Sequence, residues 1–396
     1  MQGRLKGKRT GSKNAAMSLN TAPSDFINAY VTGNVGSTIS ATGACASFLY
    51  NLKAAVHDIQ NGKVRAAIVG NSDALVLPEV AESFGNMGAL ANEKYLKMIG
   101  GSETIDYRRT SRPFGENCGF TIGEGAQYFV LMDDALALEM GANVLGSIAD
   151  VFVNADGVKK SITSPGPGNY ISMAKAVGLA KNIMGEKAVQ EDSFILAHGS
   201  STPQNRTTES HIFHTVAETF GIENWPVAAP KAYLGHGLGP ASGDQLAWAL
   251  GIFEHDIMPG ITTIDKVADD VFTQHLNIAT EHAKCTPKDI AFINSKGFGG
   301  NNATAVVLSS KVTLDMMEKR HGASAMVEYK AKLETVKSNQ AAYQEQANLA
   351  QFELFYRFGE GMIDAEKIEI SKDSMTLPGY ANPISLDIKN PFEDMC

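Results

Sequence analysis

Along most of this chain, apolar runs of strand length alternate with amphipathic segments of helix length, and that alternation confines it to α/β architectures. The first clear unit is a β-type run at residues 37–40, a turn over Ala41, Thr42, Gly43 and Ala44, and a helix over 45–60. The apolar positions of that helix, Phe48, Leu49, Leu52, Ala55, Val56 and Ile59, follow helical spacing. A buried-type run at 66–70 completes a strand-helix-strand unit, which predicts parallel pairing there. Strands are expected at 125–132 and 144–151, with a helix at 135–140 between them. A second series begins at residue 142: helix 172–183, strand 194–197, helix 207–220, strand 226–229, a Gly-rich loop 231–239 and helix 244–254. It closes with two β-rich runs, 290–295 and 303–309, joined by Gly297, Phe298, Gly299 and Gly300. Two α/β halves of related design are the simplest reading. Residues 312–358 are charged and helix-prone, and the tail after Pro378 reads as loop.

Composition narrows the function classes. With 396 residues, 44% hydrophobic and 19% charged, the chain has material for a large core. A formal charge of −9 argues against general attraction to nucleic acid or to an anionic membrane. Cys45, Cys118, Cys285 and Cys396 are scattered without metal-ligand spacing, which suits a reducing compartment and no metal site. No run approaches the ~20 apolar residues of a membrane span, and no secretory leader is evident, so the chain reads as cytoplasmic.

Chemistry is sought where the glycines gather. Cys45 lies where a β-run turns into a helix, so its sulfur faces a helix N-terminus, a position that favours the thiolate. A lone cysteine is ordinarily one more small buried residue. Two histidines change the weighing. His198 ends an apolar strand in Leu196-Ala197-His198-Gly199-Ser200-Ser201-Thr202-Pro203, with Glu209 on the following helix, and strand ends are where α/β sheets bind ligands. His236 lies in Lys231-Ala232-Tyr233-Leu234-Gly235-His236-Gly237, between glycines. The amides around Phe298 and Gly299 offer a nest for a developing oxyanion.

Taken in chain order, these features resemble the β-ketoacyl-acyl-carrier-protein synthases, elongating condensing enzymes of the thiolase superfamily. The resemblance runs from Met17 to Ser309. It rests on the cysteine elbow, the Arg112-Pro113-Phe114 segment leading to Gly119-Phe120 and Gly123-Glu124-Gly125-Ala126, the His-Gly-x-x-Thr-Pro motif, the Lys-x-x-x-Gly-His motif and the Gly-Phe-Gly-Gly-x-Asn-Ala motif. It implies a thiolase-like layered α/β/α/β/α fold of two related halves. Residues 1–141 would be the remainder of an incomplete N-terminal half, 142–311 the C-terminal half and 312–396 a helical extension. Cys45 comes early for the family, so the front of the first half is expected to be missing, as in an N-terminally truncated fragment.

The resemblance also implies roles. Cys45 would carry the acyl group as a thioester, and His198 and His236 would stabilise the enolate formed when malonyl-acyl-carrier protein loses CO2. Lys231 and Glu209 would support the histidines. The Cys45 and Phe298 amides would form an oxyanion hole, with Phe298 and Gly299 gating, and Ser200 and Thr202 would contact the phosphopantetheine arm. That arm arrives on the carrier protein, so no cofactor of its own is implied, and a homodimer is. Thiolases use a second catalytic cysteine and initiation-type enzymes a His and Asn; the two histidines favour elongation in fatty-acid or polyketide-type synthesis. Lys296 replaces an aromatic residue of the family motif, Arg206 a usual Asp, Pro240-Ala241-Ser242 a usual Ala-Ala-Gly, and Gln245 a common Glu. Lys6 and Arg9 fall where the family places carrier-docking cations. The alternatives are a non-catalytic partner subunit, against which Cys45 argues, and an inactive truncated synthase.

Overall fold

The computed structural model describes residues 19–162, 164–353 and 355–395. Lys6, Arg9 and Cys396 lie outside them. The described residues divide into two compact units, a larger one within 39–349 and a smaller one formed by residues 19–38 together with those from 350 onward.

The larger unit is organised by a six-stranded mixed sheet. Its strands are β3 (Gly146–Ala155), β4 (Ser193–Leu196), β5 (Trp225–Ala228), β7 (Leu276–Asn277), β9 (Ile290–Gly297) and β10 (Asn301–Ser309), in the order β3-β10-β9-β4-β5-β7, while β6 (Ile257–Met258) and β8 (Ala283–Lys284) pair with each other. β10 pairs antiparallel with β3 and β9, whereas β9, β4, β5 and β7 run parallel. Alternate side chains enter two different cores. Ile195, Val227, Phe292 and Val306 face one; Phe194, Leu196, Ala228, Ile293 and Val307 face the other. This two-sided burial explains why these strands read as continuous apolar runs.

Helices α1 (Ser47–Gln60), α2 (Gly168–Met184), α3 (Pro203–Phe220) and α4 (Ala241–His255) cover the sheet. Met173, Ala176 and Val177 of α2 and Ile212, Phe213 and Val216 of α3 fill the first core. Phe48, Leu49, Leu52 and Val56 of α1 and Leu246, Ala249 and Ile252 of α4 fill the second. A ribbon of β1 (Ala66–Asp73) and β2 (Gly125–Met132) lies beyond α1 and α4, contributing Val69, Phe129 and Leu131 to that second core. The order is therefore helices, sheet, helices, sheet, the thiolase-like arrangement.

Two sequence expectations are corrected here. Residues 37–40 form no strand, because Ile39 is the one large apolar side chain in the run and it is exposed. β1 pairs antiparallel with β2 from Ala66↔Met132 to Asp73↔Gly125, in place of the parallel pairing foreseen for this part of the chain.

Helices α5 (Ser310–His321) and α6 (Ala323–Asn348), the first part of the expected extension, pack within the larger unit, which runs to Leu349. Met317, Met326 and Tyr329 bury against Ala137, and the Tyr329 hydroxyl donates to the Ala142 carbonyl at 2.8 Å. Arg320 and His321 both reach Asp134, at 2.8 and 2.9 Å.

The smaller unit joins the two ends of the chain. Phe26, Tyr30, Tyr356 and Phe358 form an aromatic cluster with ring centroids 4.6 to 6.0 Å apart. The Arg357 amide donates to the Tyr30 carbonyl at 2.7 Å. The tail is not all loop: Ile384–Ser385 pairs with Ser374–Thr376, which also pairs with Glu369–Ile370.

Because Tyr329 is 1% exposed, Tyr329→Ala is expected to destabilise the larger unit by about 3 kcal/mol through the cavity it leaves. Urea unfolding followed by tryptophan fluorescence measures this. An unchanged midpoint would mean that α6 is not part of that unit.

Candidate active site

The backbone enters α1 through a sharp turn, with Ala44 in the left-handed region at φ 50°. The Gly43 amide donates to Ser47 Oγ at 3.0 Å, and Ser47 Oγ donates to the Ala44 carbonyl at 2.6 Å, fastening the turn to the first residue of the helix. Cys45 is buried between them. β9 runs directly against this turn: a Cβ at Gly297 would stand 2.2 Å from the Gly43 carbonyl oxygen, so only glycine permits the approach. That approach brings the Phe298 amide to the sulfur, where it and the Cys45 amide favour the thiolate.

Desolvation nevertheless dominates. Burial pushes the Cys45 thiol up to about 11, against the opposing pull of the Lys231 ammonium and of the two amides. The helix N-terminus foreseen as the activator is outweighed in the resting site.

His198 lies two residues past the end of β4. Its amide donates to Glu209 Oε1 at 2.7 Å, and the Gly199 amide donates to Oε2 at 2.9 Å. Lys231 Nζ donates to the His198 carbonyl at 2.5 Å and lies 3.5 Å from its Nδ1. His236 is held by the strip that follows Cys118: its amide donates to the Thr121 carbonyl at 2.7 Å, and the Gly123 amide donates to the His236 carbonyl at 3.0 Å. The Leu238 amide donates to His236 Nδ1 at 3.2 Å.

With each Nδ1 facing an N–H donor, both imidazoles take the tautomer that leaves a proton on Nε2. Their ring centroids are 5.3 Å apart and nearly perpendicular. Burial, followed by the Lys231 charge, depresses both pKa values well below 6.5, so both rings are neutral. Lys231 itself is pushed down to about 8 by burial, with Cys45, Glu209 and Asp244 opposing.

Cys45, His198, His236, Ser200, Thr202 and Phe298 line one cavity that opens to solvent. Ser200 and Thr202 join hydroxyls at 3.1 Å. Phe298 is half-exposed and stacks on Phe84, which packs on Phe120, itself edge-on to His236. Gly299 follows at φ 88°. The structure thus brings together Cys45, His198, His236, Lys231, Glu209, Ser200, Thr202, Phe298 and Gly299, with one refinement. Glu209 and Lys231 form no ion pair within 4.0 Å, and each binds His198 or its neighbour separately.

The departures have local explanations. Arg206 makes a two-pronged ion pair with Asp270 at 2.8 and 2.9 Å. Gln245 Nε2 ties the carbonyls of Leu196, Ala197 and Asn294 together, at 2.8 to 2.9 Å. Asn294 escaped the sequence reading; its Nδ2 donates to Glu209 Oε1 at 2.8 Å and to Asn169 Oδ1 at 3.1 Å. Its place just ahead of the Gly297–Gly300 loop was the available signal. Asp156 was also missed. It accepts from Lys159, Asn302 and the Gly168 amide behind the Phe298 loop.

A cysteine on a sharp turn and two imidazoles on successive strand-end loops thus meet on a thiolase-like sheet, and the chain belongs to the β-ketoacyl synthase family. The family's N-terminal domain profile matches residues 8–137 and its C-terminal domain profile residues 145–265. Over its whole length the chain is 52% identical to β-ketoacyl-[acyl-carrier-protein] synthase FabY of Pseudomonas aeruginosa. It superposes on the crystal structure of that noncanonical ketosynthase with a TM-score of 0.97, covering 62% of the solved chain. It is also 30% identical, over 279 residues, to 3-oxoacyl-[acyl-carrier-protein] synthase 1 of Escherichia coli, with 70% of this chain and 62% of that protein aligned. The chain thus spans 62% of the length of both relatives.

A thiol near 11 reacts faster as pH rises well beyond neutrality. Cys45 carbamidomethylation by iodoacetamide, followed by peptide mass spectrometry, should therefore keep accelerating from about pH 7 to about pH 10. Lys231→Met removes the ammonium that favours the thiolate and should slow the reaction several-fold at neutral pH. A plateau by about pH 8 would contradict control by burial.

Proposed function

We propose that the chain catalyses decarboxylative Claisen condensation of an acyl group held on Cys45 with a malonyl thioester of acyl-carrier protein, giving a 3-oxoacyl thioester for fatty-acid or polyketide-type synthesis. The observation that carries this reading is the pair of neutral imidazoles beside the cysteine, each with its proton on Nε2.

In the first half-reaction Cys45 Sγ attacks the acyl thioester. The amides of Phe298 and Cys45 stabilise the oxyanion, and the carrier thiol leaves with the cysteine proton. In the second, the bond from the malonyl Cα to its carboxylate breaks and CO2 departs. The electron pair is delocalised onto the thioester oxygen, where His198 and His236 donate hydrogen bonds. Two donors that are neutral at the start suit an enolate, because they stabilise developing charge without trapping the anionic substrate beforehand. The carbanion then attacks the acyl-Cys45 carbonyl and expels the thiolate. Lys231 and Glu209 position His198, and Ser200 and Thr202 hold the pantetheine arm, which the carrier supplies. No resident cofactor or metal is required. Among the described residues no helix is long and apolar enough to cross a membrane. We place the protein in the cytoplasm, working as a homodimer.

Incubation with an acyl-pantetheine or acyl-carrier thioester should add one acyl mass at Cys45, and no adduct on folded protein would end the enzyme reading. Cys45→Gln should lower condensation on the order of a thousandfold or more while leaving malonyl decarboxylation at or above the parent rate. Loss of both activities would contradict the division between nucleophile and imidazoles.

A further inference from the structure

Lys296 is a charged residue of the cavity wall whose ammonium, beyond helping Lys231 to disfavour an imidazolium at His198, has no part in the chemistry above. It stands on β9 opposite Asn302, one residue before the glycine that touches the Cys45 turn, and lines the same cavity as Cys45, His198 and His236. Its Nζ donates to Thr208 Oγ1 at 3.0 Å. That hydroxyl spends its own proton on the Gln204 carbonyl, at 2.9 Å.

The nearby carboxylates are already committed. Glu209 accepts from the His198 and Gly199 amides and from Asn205 and Asn294. Asp156 accepts from Lys159, Asn302 and Gly168. Among the described residues no carboxylate lies within ion-pair distance of Lys296, so a cation has been placed in the reaction cavity with one neutral partner. A partly buried charge is costly without an opposite one, and burial already depresses its pKa.

We propose that Lys296 recognises the free carboxylate of the malonyl extender and so distinguishes it from an uncharged acyl thioester. This rests on the condensing-enzyme reading. The carrier's phosphate is a full pantetheine arm away from the thioester, which leaves the malonyl carboxylate as the anion that travels to the depth of Cys45. The pairing forms in the ground state. When CO2 leaves, the charge moves to the thioester oxygen and the imidazoles, so Lys296 contributes to binding and not to the rate of decarboxylation.

The test compares Lys296→Met and Lys296→Arg with the parent, using malonyl-pantetheine as extender and acetyl-pantetheine as acyl donor. Met should raise the KM for malonyl-pantetheine about tenfold or more without lowering kcat, and Arg should recover most of the loss. Acetylation of Cys45, read by intact mass, reports on the underlying reading: if the parent is not acetylated, that reading fails. If the parent is acetylated and Met leaves the malonyl KM unchanged, or lowers kcat alone, the carboxylate assignment is wrong. Should Met not fold, Lys296→Gln, which can keep a bond to Thr208, gives the same comparison.

Discussion

The site depends on Glu209, a carboxylate buried without exposure and satisfied by four hydrogen-bond donors. A charge in that position is tolerable only because its oxygens are fully bonded, and removing any donor would leave part of it unpaired. The bonds run from the end of β4, from β9 through Asn294 and from the first turn of α3. One side chain thereby fixes the spacing of the strand ends and the loop that carries His198. Lys231 completes the arrangement from the next loop, bonding the carbonyl of His198 while its charge disfavours an imidazolium. Neutral imidazoles are thus a product of the buried framework and not of the histidines alone.

The layers explain why such a framework can be held still. The six-stranded sheet has a core on each face, and the parallel strands β9, β4 and β5 end close to one another, so His198, the Lys231 loop and the Phe298 loop emerge together. Cys45 sits on the turn ahead of α1 and meets β9 where Gly297 has no side chain. Nucleophile and imidazoles come from different parts of the chain, and the close backbone contact sets the distance between them. The cost is a desolvated thiol, which puts the burden of activation on the local amides and on Lys231.

Much of this was legible because the second half is buried on both faces. Strands such as Phe194–Leu196 and Ile290–Ile293 left continuous apolar runs, and the glycine clusters marked where backbone meets the site. The cavity-lining set was readable for the same reason: His198 and His236 each adjoin glycines at element ends, and Cys45 lies two residues after Gly43. What escaped depended on partners far away in sequence. Nothing near Asn294 announces that it serves Glu209, 85 positions away. The helix-terminus argument for Cys45 lacked the burial that reverses it. Residues 37–40 had strand-like local character but no neighbour to pair with, and the helices after 310 revealed their membership only through Met317, Met326 and Tyr329 packing on Ala137.

The central claim is that His198 and His236 are both neutral and both carry their proton on Nε2, aimed at the charge that develops on the thioester. Nitrogen-15 NMR of the imidazole rings in histidine-labelled protein, titrated across neutral pH, addresses this directly, with His198→Asn and His236→Asn assigning the signals. The account predicts pyridine-type Nδ1 and pyrrole-type Nε2 shifts for both rings, unchanged down to at least about pH 6. An imidazolium at neutral pH, or a proton on Nδ1 of either ring, would contradict it.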